Sequence, residues 1–239
     1  LKYAIISDVH ANLEAVEACF QEIGKIKPDR IICLGDLVDY CAEPVEVIDI
    51  IKKNCDVVIL GNHDEAQFRY EMIGGYRENA QISSVHTRKV ITDEEIKYLK
   101  TLPRVHSEND LLFVHASPLD PKRYRYLLYE ETAAENFSNF SEKICFIGHS
   151  HKPLMFELSA AGVKRVQKAK LSPDARYLIN VGSVGQPRDG NPKLSFGWYD
   201  TDSFEYRNIR VDYDIKSASA KIRNEGLPAQ LANRLFEGI

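Results

Sequence analysis

Five short apolar runs in this chain each stop at a residue able to bind a metal. Tyr3-Ala4-Ile5-Ile6-Ser7 runs into Asp8, with His10 two further on. Ile31-Ile32-Cys33-Leu34-Gly35 runs into Asp36, and Val57-Val58-Ile59-Leu60-Gly61 into Asn62-His63-Asp64. Leu111-Leu112-Phe113-Val114 runs into His115, and Ile144-Cys145-Phe146-Ile147-Gly148 into His149-Ser150-His151. Runs of this length, rich in Val and Ile, suit strands covered on both faces. Ligands then project from one sheet edge, held more rigidly than on free loops. Asp8, His10, Asp36, Asn62, His115, His149 and His151 thus form a candidate set of N and O donors for a dinuclear metal site.

The intervening segments fit such a sheet. Leu13, Val16, Phe20 and Ile23 fall near helical spacing between Asn12, a good start, and Gly24, a good stop. A second helix is expected from about Pro44 to Lys53, with proline in its first turn. The order β-α-β-α-β implies a parallel sheet core covered by helices. Residues 64–102 carry helical patterning, with a capping-box start at Thr92-Asp93-Glu94-Glu95 and a stop at Pro103. Asn109-Asp110 marks a hairpin, 116–130 a polar and aromatic loop, and 131–140 a helix. After His151 the chain becomes alternating and β-rich, which reads as an antiparallel meander forming a second sheet on the first. The last 25 residues read as helical, broken at Gly226-Leu227-Pro228. One domain over 1–239 is the simplest organisation.

Composition narrows the function. Of 239 residues, 44% are hydrophobic, enough for a large core. The net charge of −4 gives no general field for nucleic acid, so no extended nucleic-acid surface is expected and any phosphate attraction is local. No long apolar segment or signal peptide is evident, which points to a cytoplasmic protein with no membrane partner. The five cysteines, Cys19, Cys33, Cys41, Cys55 and Cys145, form no C-x-x-C and read as reduced, buried hydrophobes.

Mixed N and O donors without thiolate suit Mn, Fe, Zn, Ni or Co, and argue against an iron–sulfur or Cys-rich zinc site. Two divalent cations less two aspartates and a bridging hydroxide leave positive charge that attracts phosphate. Metals about 3.5–4 Å apart can clamp the attacking and leaving oxygens of an in-line displacement.

Asp8-Val9-His10, Gly35-Asp36-Leu37-Val38-Asp39, Gly61-Asn62-His63-Asp64, His115 and Gly148-His149-Ser150-His151 resemble, in order and spacing, the five signatures of the calcineurin-like metallophosphoesterases. Asn180 to Asp189 (Asn-Val-Gly-Ser-Val-Gly-Gln-Pro-Arg-Asp) resembles the signature of the small prokaryotic phosphodiesterase branch. The resemblance implies a four-layer α-β-β-α sandwich. It implies that Asp8, His10, Asp36 and His151 hold one metal, and that Asp36, Asn62, His115 and His149 hold the other, with Asp36 bridging and manganese the leading metal. It further implies that His63 meets the phosphoryl group and the leaving oxygen, while Asp64 orients the imidazole. The expected activity is hydrolysis of a small phosphodiester or nucleotide-type ester by a metal-bridging hydroxide. Ala11, Ala116 and Val181 stand where the family often has Gly, Gly and Pro; the two alanines reach positive φ less easily than glycine.

Two alternatives stay open at this point. One is a monoesterase or protein phosphatase, whose branch usually carries Arg where this chain has Leu60. The other is a non-catalytic scaffold resembling a retromer subunit, which lacks the catalytic histidine that His63 supplies here. Arg188, Arg123 and Arg125 are candidate substrate contacts, the last two in the basic, aromatic stretch Lys122-Arg123-Tyr124-Arg125-Tyr126. Asp39 reads as a loop support, and His86 and His106 as packing or surface residues.

Overall fold

The computed structural model describes residues 1–239. Each of the five runs becomes a strand: β1 (Lys2–Ile6), β2 (Arg30–Cys33), β3 (Val57–Val58), β5 (Leu111–Val114) and β6 (Ile144–Ile147). Helix α1 (Leu13–Ile26) joins the first two and α2 (Pro44–Asn54) the next two, and β1, β2 and β3 pair in parallel. Asn12 caps α1 by accepting from the Ala15 amide, and α2 starts on Pro44 as expected. Past β3, residues 62–101 form α3 (Asn62–Ala66), a 3-10 turn at Tyr70–Gly75, α4 (Glu78–Val90) and α5 (Asp93–Thr101). Thr92 and Glu95 make the anticipated capping box on α5. β4 (Val105–Glu108) pairs antiparallel with β5 across Asn109-Asp110, both at positive φ as a tight hairpin demands. Helix α6 (Glu130–Phe137) leads into β6.

The C-terminal strands correct one expectation. They are β7 (Leu154–Ser159), β8 (Gly162–Arg165), β9 (Arg176–Asn180), β10 (Leu194–Asp200) and β11 (Glu205–Val211), but they do not form a sheet of their own. One sheet has the order β11-β10-β1-β2-β3, the other β4-β5-β6-β9-β7-β8. The second sheet therefore begins at β4, and β9 pairs in parallel with β6. Alternation describes each strand's faces but not its partner, so the split was invisible in the pattern. Helices α7 (Ile215–Asn224) and α8 (Ala229–Glu237) close the chain, on either side of the expected break.

Side-chain alternation builds the layers. On β1, Tyr3 and Ile5 face the second sheet, while Ala4 and Ile6 face α1 and α2. On β6, Ile144 and Phe146 meet the first sheet, while Cys145 and Ile147 meet α6. The result is a four-layer α-β-β-α sandwich of two mixed sheets flanked by helices. Burying the two inner faces sets the sheets against each other, and this brings the C-terminal ends of β1, β2, β5 and β6 to one place.

Candidate metal centre

The loops after these strands are shaped to turn side chains back over the sheet edge. Asp8, His10, Ala11, Asp36, Asp39, Tyr40, His149 and His151 all have φ between 48° and 69°. Non-glycine residues seldom occupy this left-handed region, and each costs of order 1 kcal/mol or more. Their concentration here means the surrounding hydrogen bonds over-determine them: Asp8 N donates to Gly35 O at 2.9 Å, His10 N to Asp36 O at 3.0 Å and Ala11 N to Leu37 O at 2.8 Å. Ala11 thus adopts the glycine-like conformation despite its Cβ, whereas Ala116 is not in that region. Gly61 and Gly148 are fixed by space: a Cβ would lie 2.2 Å from Asp36 Oδ1 at the first and 1.9 Å from Ser7 Oγ at the second.

Six of the candidate ligands gather into two groups, Asp8 with His10 and His151, and Asp36 with His115 and His149, all buried. Asp36 Oδ2 lies 3.7 Å from His10 Nε2 and 3.3 Å from His115 Nε2, between the two groups. Asp8 Oδ1 lies 3.4 Å from His151 Nε2. Asn62, the remaining donor, turns its Nδ2 to the Tyr76 hydroxyl at 3.1 Å.

The donor atoms fit cations. His10 Nδ1 donates to Val38 O at 2.9 Å, His115 Nδ1 to Leu34 O at 2.7 Å, and His151 Nδ1 to Gln186 O. In His10 and His151 the Nε2 is thereby left as a lone pair, the arrangement in which histidine ligates metal. In His115 burial opposes a charge, but Asp36 and Asp8 outweigh it and raise the imidazole to about 9, so a metal would displace a proton from its Nε2. The Nε2 atoms of His10 and His151 face each other at 3.1 Å, where two lone pairs repel unless a cation shares them. His115 Nε2, His149 Nε2 and Asn62 Oδ1 are buried with no hydrogen-bond partner. Buried polar atoms are rarely left so, and these three belong to three of the four residues of one expected ligand set.

The electrostatics of the chain alone agree. Burial pushes His10 and His151 well below the ordinary imidazole range, and burial with the neighbouring His115 holds His149 at about 3. All three are neutral donors at neutral pH. Burial pushes Asp8 up to about 7, with the Asp36 charge adding to it. Burial opposes ionisation of Asp36 too, but His115 and His63 outweigh it and hold that carboxyl well below its usual range.

His63 stands beside the ligands, 5% exposed, with its ring 5.1 Å from that of His10. Its amide donates to Asp36 Oδ1 at 2.9 Å. Its Nδ1 meets Asp39 Oδ2 at 2.6 Å, and Asp39 is held in turn by Ser84 Oγ and by Gln67 Nε2 at 3.1 Å. Burial opposes a charge on His63, but Tyr40, Asp36 and Asp39 outweigh it and raise the imidazole to about 10.

The orienting partner of His63 is therefore Asp39 and not Asp64. Asp64 is fully buried, and its two oxygens accept from the amides of Asp36, Leu37 and Gly61 at 2.8–3.0 Å. It locks the Asp36 loop to the start of α3 and has no oxygen to spare. Sequence adjacency misled here, because on a helix residues i and i+1 diverge. The available signal was the second aspartate of Gly35-Asp36-Leu37-Val38-Asp39.

Among the candidate substrate contacts, Arg188 reaches the site and the others do not. Its Cζ lies 5.4 Å from the Tyr40 ring centroid, its Nε and Nη2 donate to Gln186 Oε1, and its charge bears on His10, His149 and His151. Arg123 is exposed and paired with Asp120, and Arg125 is exposed. Tyr124 packs inward and Tyr126 outward. His86 lies 3.7 Å from Glu225, and His106 bonds Glu108, both outside the cluster. All five cysteines are free thiols, and none is near enough in kind or place to join the ligands.

Helix α3, which presents Asn62 and His63, is anchored by a buried ion pair. Glu65 is 1% exposed and accepts from Arg104, from Arg69 at 2.9 Å and from the Tyr124 hydroxyl at 2.6 Å. Burial opposes its charge, but these partners outweigh burial and hold the carboxyl at about 2. A depressed folded-state value stabilises the fold above the unfolded value, and that gain is lost as pH falls towards 2. In thermal melts of metal-free protein, Glu65→Gln is expected to lower Tm fully at pH 5–7. The gap to wild type is expected to close as pH falls from about 4.5 towards 2; a gap independent of pH would contradict the ion pair's role.

Two mixed sheets with a dinuclear donor set at their shared edge define the metallophosphoesterase class of fold. The family model for calcineurin-like phosphoesterases matches residues 1–153, and the chain belongs to that family. It is 38% identical over 240 residues to an uncharacterized protein of Methanocaldococcus jannaschii, covering 98% of this chain and 97% of the other. Among solved structures it is similar to a metallophosphoesterase from Sphaerobacter thermophilus, with TM-score 0.87, 34% identity and 100% and 99% of the two chains covered. A hypothetical protein of Pyrococcus horikoshii shares the fold at TM-score 0.84 and 20% identity, over 100% and 98% of the chains. No helix is long and apolar enough to cross a membrane.

Proposed function

We propose that the chain is a manganese-dependent phosphodiesterase acting on small phosphodiesters or nucleotide-type esters in a reducing, cytoplasmic setting. The observation that carries a hydrolase over a scaffold is the buried His63, held by Asp39 next to six gathered ligands and the unpartnered Asn62 amide oxygen. Strongly perturbed, buried titratable groups concentrate at active sites. When bound, two divalent cations would supply Lewis acidity and a hydroxide at neutral pH.

The chain's own residues do the rest. Asp36 lies between the two ligand groups and fixes His63 through its amide. Asp39 takes Nδ1 of His63, which leaves Nε2 to carry a proton to the departing oxygen. Arg188 adds one cation near the ligands, and the position before Gly61 is the apolar, buried Leu60 rather than an arginine. The absence of an arginine at position 60, where the phosphatase branch usually carries one, supports a diester over a monoester.

The test is turnover of bis(p-nitrophenyl) phosphate beside p-nitrophenyl phosphate, using metal-stripped protein reloaded with manganese. The diester is expected to be the better substrate by at least about tenfold in kcat/KM, with both activities abolished by chelator. Preference for the monoester would overturn the diesterase assignment, and turnover surviving the chelator would overturn metal dependence.

A further inference from the structure

The loop after β5 places an aromatic ring on one of the candidate ligands. The rings of Tyr126 and His149 are stacked, with centroids 4.3 Å apart and planes at 25°, yet Tyr126 remains 52% exposed. Large aromatic side chains are normally buried more deeply. This one is not on a free loop. Two residues earlier Tyr124 turns inward with φ 49°, and its hydroxyl donates to Glu65 at 2.6 Å and accepts from Arg104 at 2.9 Å. Glu65 belongs to the helix that presents Asn62 and His63. One buried carboxylate thus fixes both the ligand-bearing helix and the loop that carries Tyr126. An aromatic face held this way has lost little further freedom on meeting a second ring, which is what makes a stacking surface effective.

We propose that Tyr126 is the stacking platform of a subsite for a flat aromatic or heteroaromatic ring, such as a nucleobase, carried by the phosphoester at the metal-ligand cluster. The position of the phosphate in this account rests on the phosphoesterase reading above. Tyr124 acts as a positioning residue, through the Glu65 and Arg104 bonds that set the loop. Arg123 and Arg125 are exposed, so recognition of the ring relies on stacking rather than on edge contacts from this stretch.

The test is calorimetric binding of adenosine 5′-monophosphate and of ribose 5-phosphate, which differ by the base, to manganese-loaded protein. Wild type is expected to bind the nucleotide about tenfold more tightly. Tyr126→Ala is expected to erase that difference while leaving ribose 5-phosphate affinity and metal content unchanged. Tyr126→Phe, which keeps the ring, is expected to retain it. Tyr124→Phe is expected to shrink the difference without altering metal content. Equal affinities in wild type, or no binding of either ligand, would overturn the subsite. So would equal weakening of both ligands in Tyr126→Ala, which means the ring only shields His149. A base-dependent difference without turnover of bis(p-nitrophenyl) phosphate would support the subsite and count against the diesterase; the reverse pattern would do the opposite.

Discussion

Replacing His63 by alanine is expected to leave both metals bound and to lower kcat for the diester by about 100- to 10,000-fold, the usual contribution of a positioned proton donor. The geometry separates this residue from the ligands. His63 gives its Nδ1 to Asp39 at 2.6 Å and its amide to Asp36 at 2.9 Å, and it belongs to neither ligand group. Its backbone bond survives the substitution, so Asp36 keeps its orientation. The measurement pairs elemental analysis with steady-state kinetics. Because the lost function is proton delivery, the deficit is expected to be smaller for esters with more acidic leaving alcohols. Loss of metal in this variant would place His63 among the ligands and overturn the division of labour drawn here.

Asp36→Asn is expected to have the opposite signature, with both metals lost together. Asp36 Oδ2 approaches His10 of one group at 3.7 Å and His115 of the other at 3.3 Å. An amide is nearly isosteric, so the fold is retained, but it offers one weak donor atom in place of two charged ones. Removing outer-shell partners of a metal already costs about 10- to 100-fold in affinity, so loss of a shared ligand is expected to cost at least about 100-fold at each position. Metal titration of the variant checks this. Normal occupancy of both positions, or selective loss of one, would count against a bridging role. Circular dichroism identical to wild type would show that the loss is not unfolding.

Much of this site is legible in the sequence because its chemistry sits at strand ends. Val- and Ile-rich runs announce buried strands, and a donor at the end of each is placed by the fold's own geometry. Asn62, His115 and His149 are legible in the sequence for that reason. The bond between Asp39 and His63 is not legible in the sequence, because it joins the loop after β2, whose left-handed turn carries no distinctive residue type, to a helix 24 residues on. The expectation that Asp64 orients His63 fails for the complementary reason: as the third residue of α3 it is spent on backbone amides at the helix start. The division of the C-terminal strands between two sheets was hidden too. Alternation in Tyr3 to Ile6 and in Ile144 to Ile147 shows two buried faces, but not which strand lies alongside. The inward turn of Tyr124 likewise depends on Glu65, a residue far away in the chain.

The central claim is that seven side chains from the ends of five strands hold two cations at one sheet edge. It is tested most directly by counting them. Metal-stripped protein is dialysed to equilibrium against manganese, and metal and protein are quantified in the same sample. Two ions per chain are expected in wild type and in His63→Ala, with diester turnover in wild type rising as the second ion binds. A plateau at one ion or none per chain, across the range in which turnover is full, would contradict the dinuclear centre.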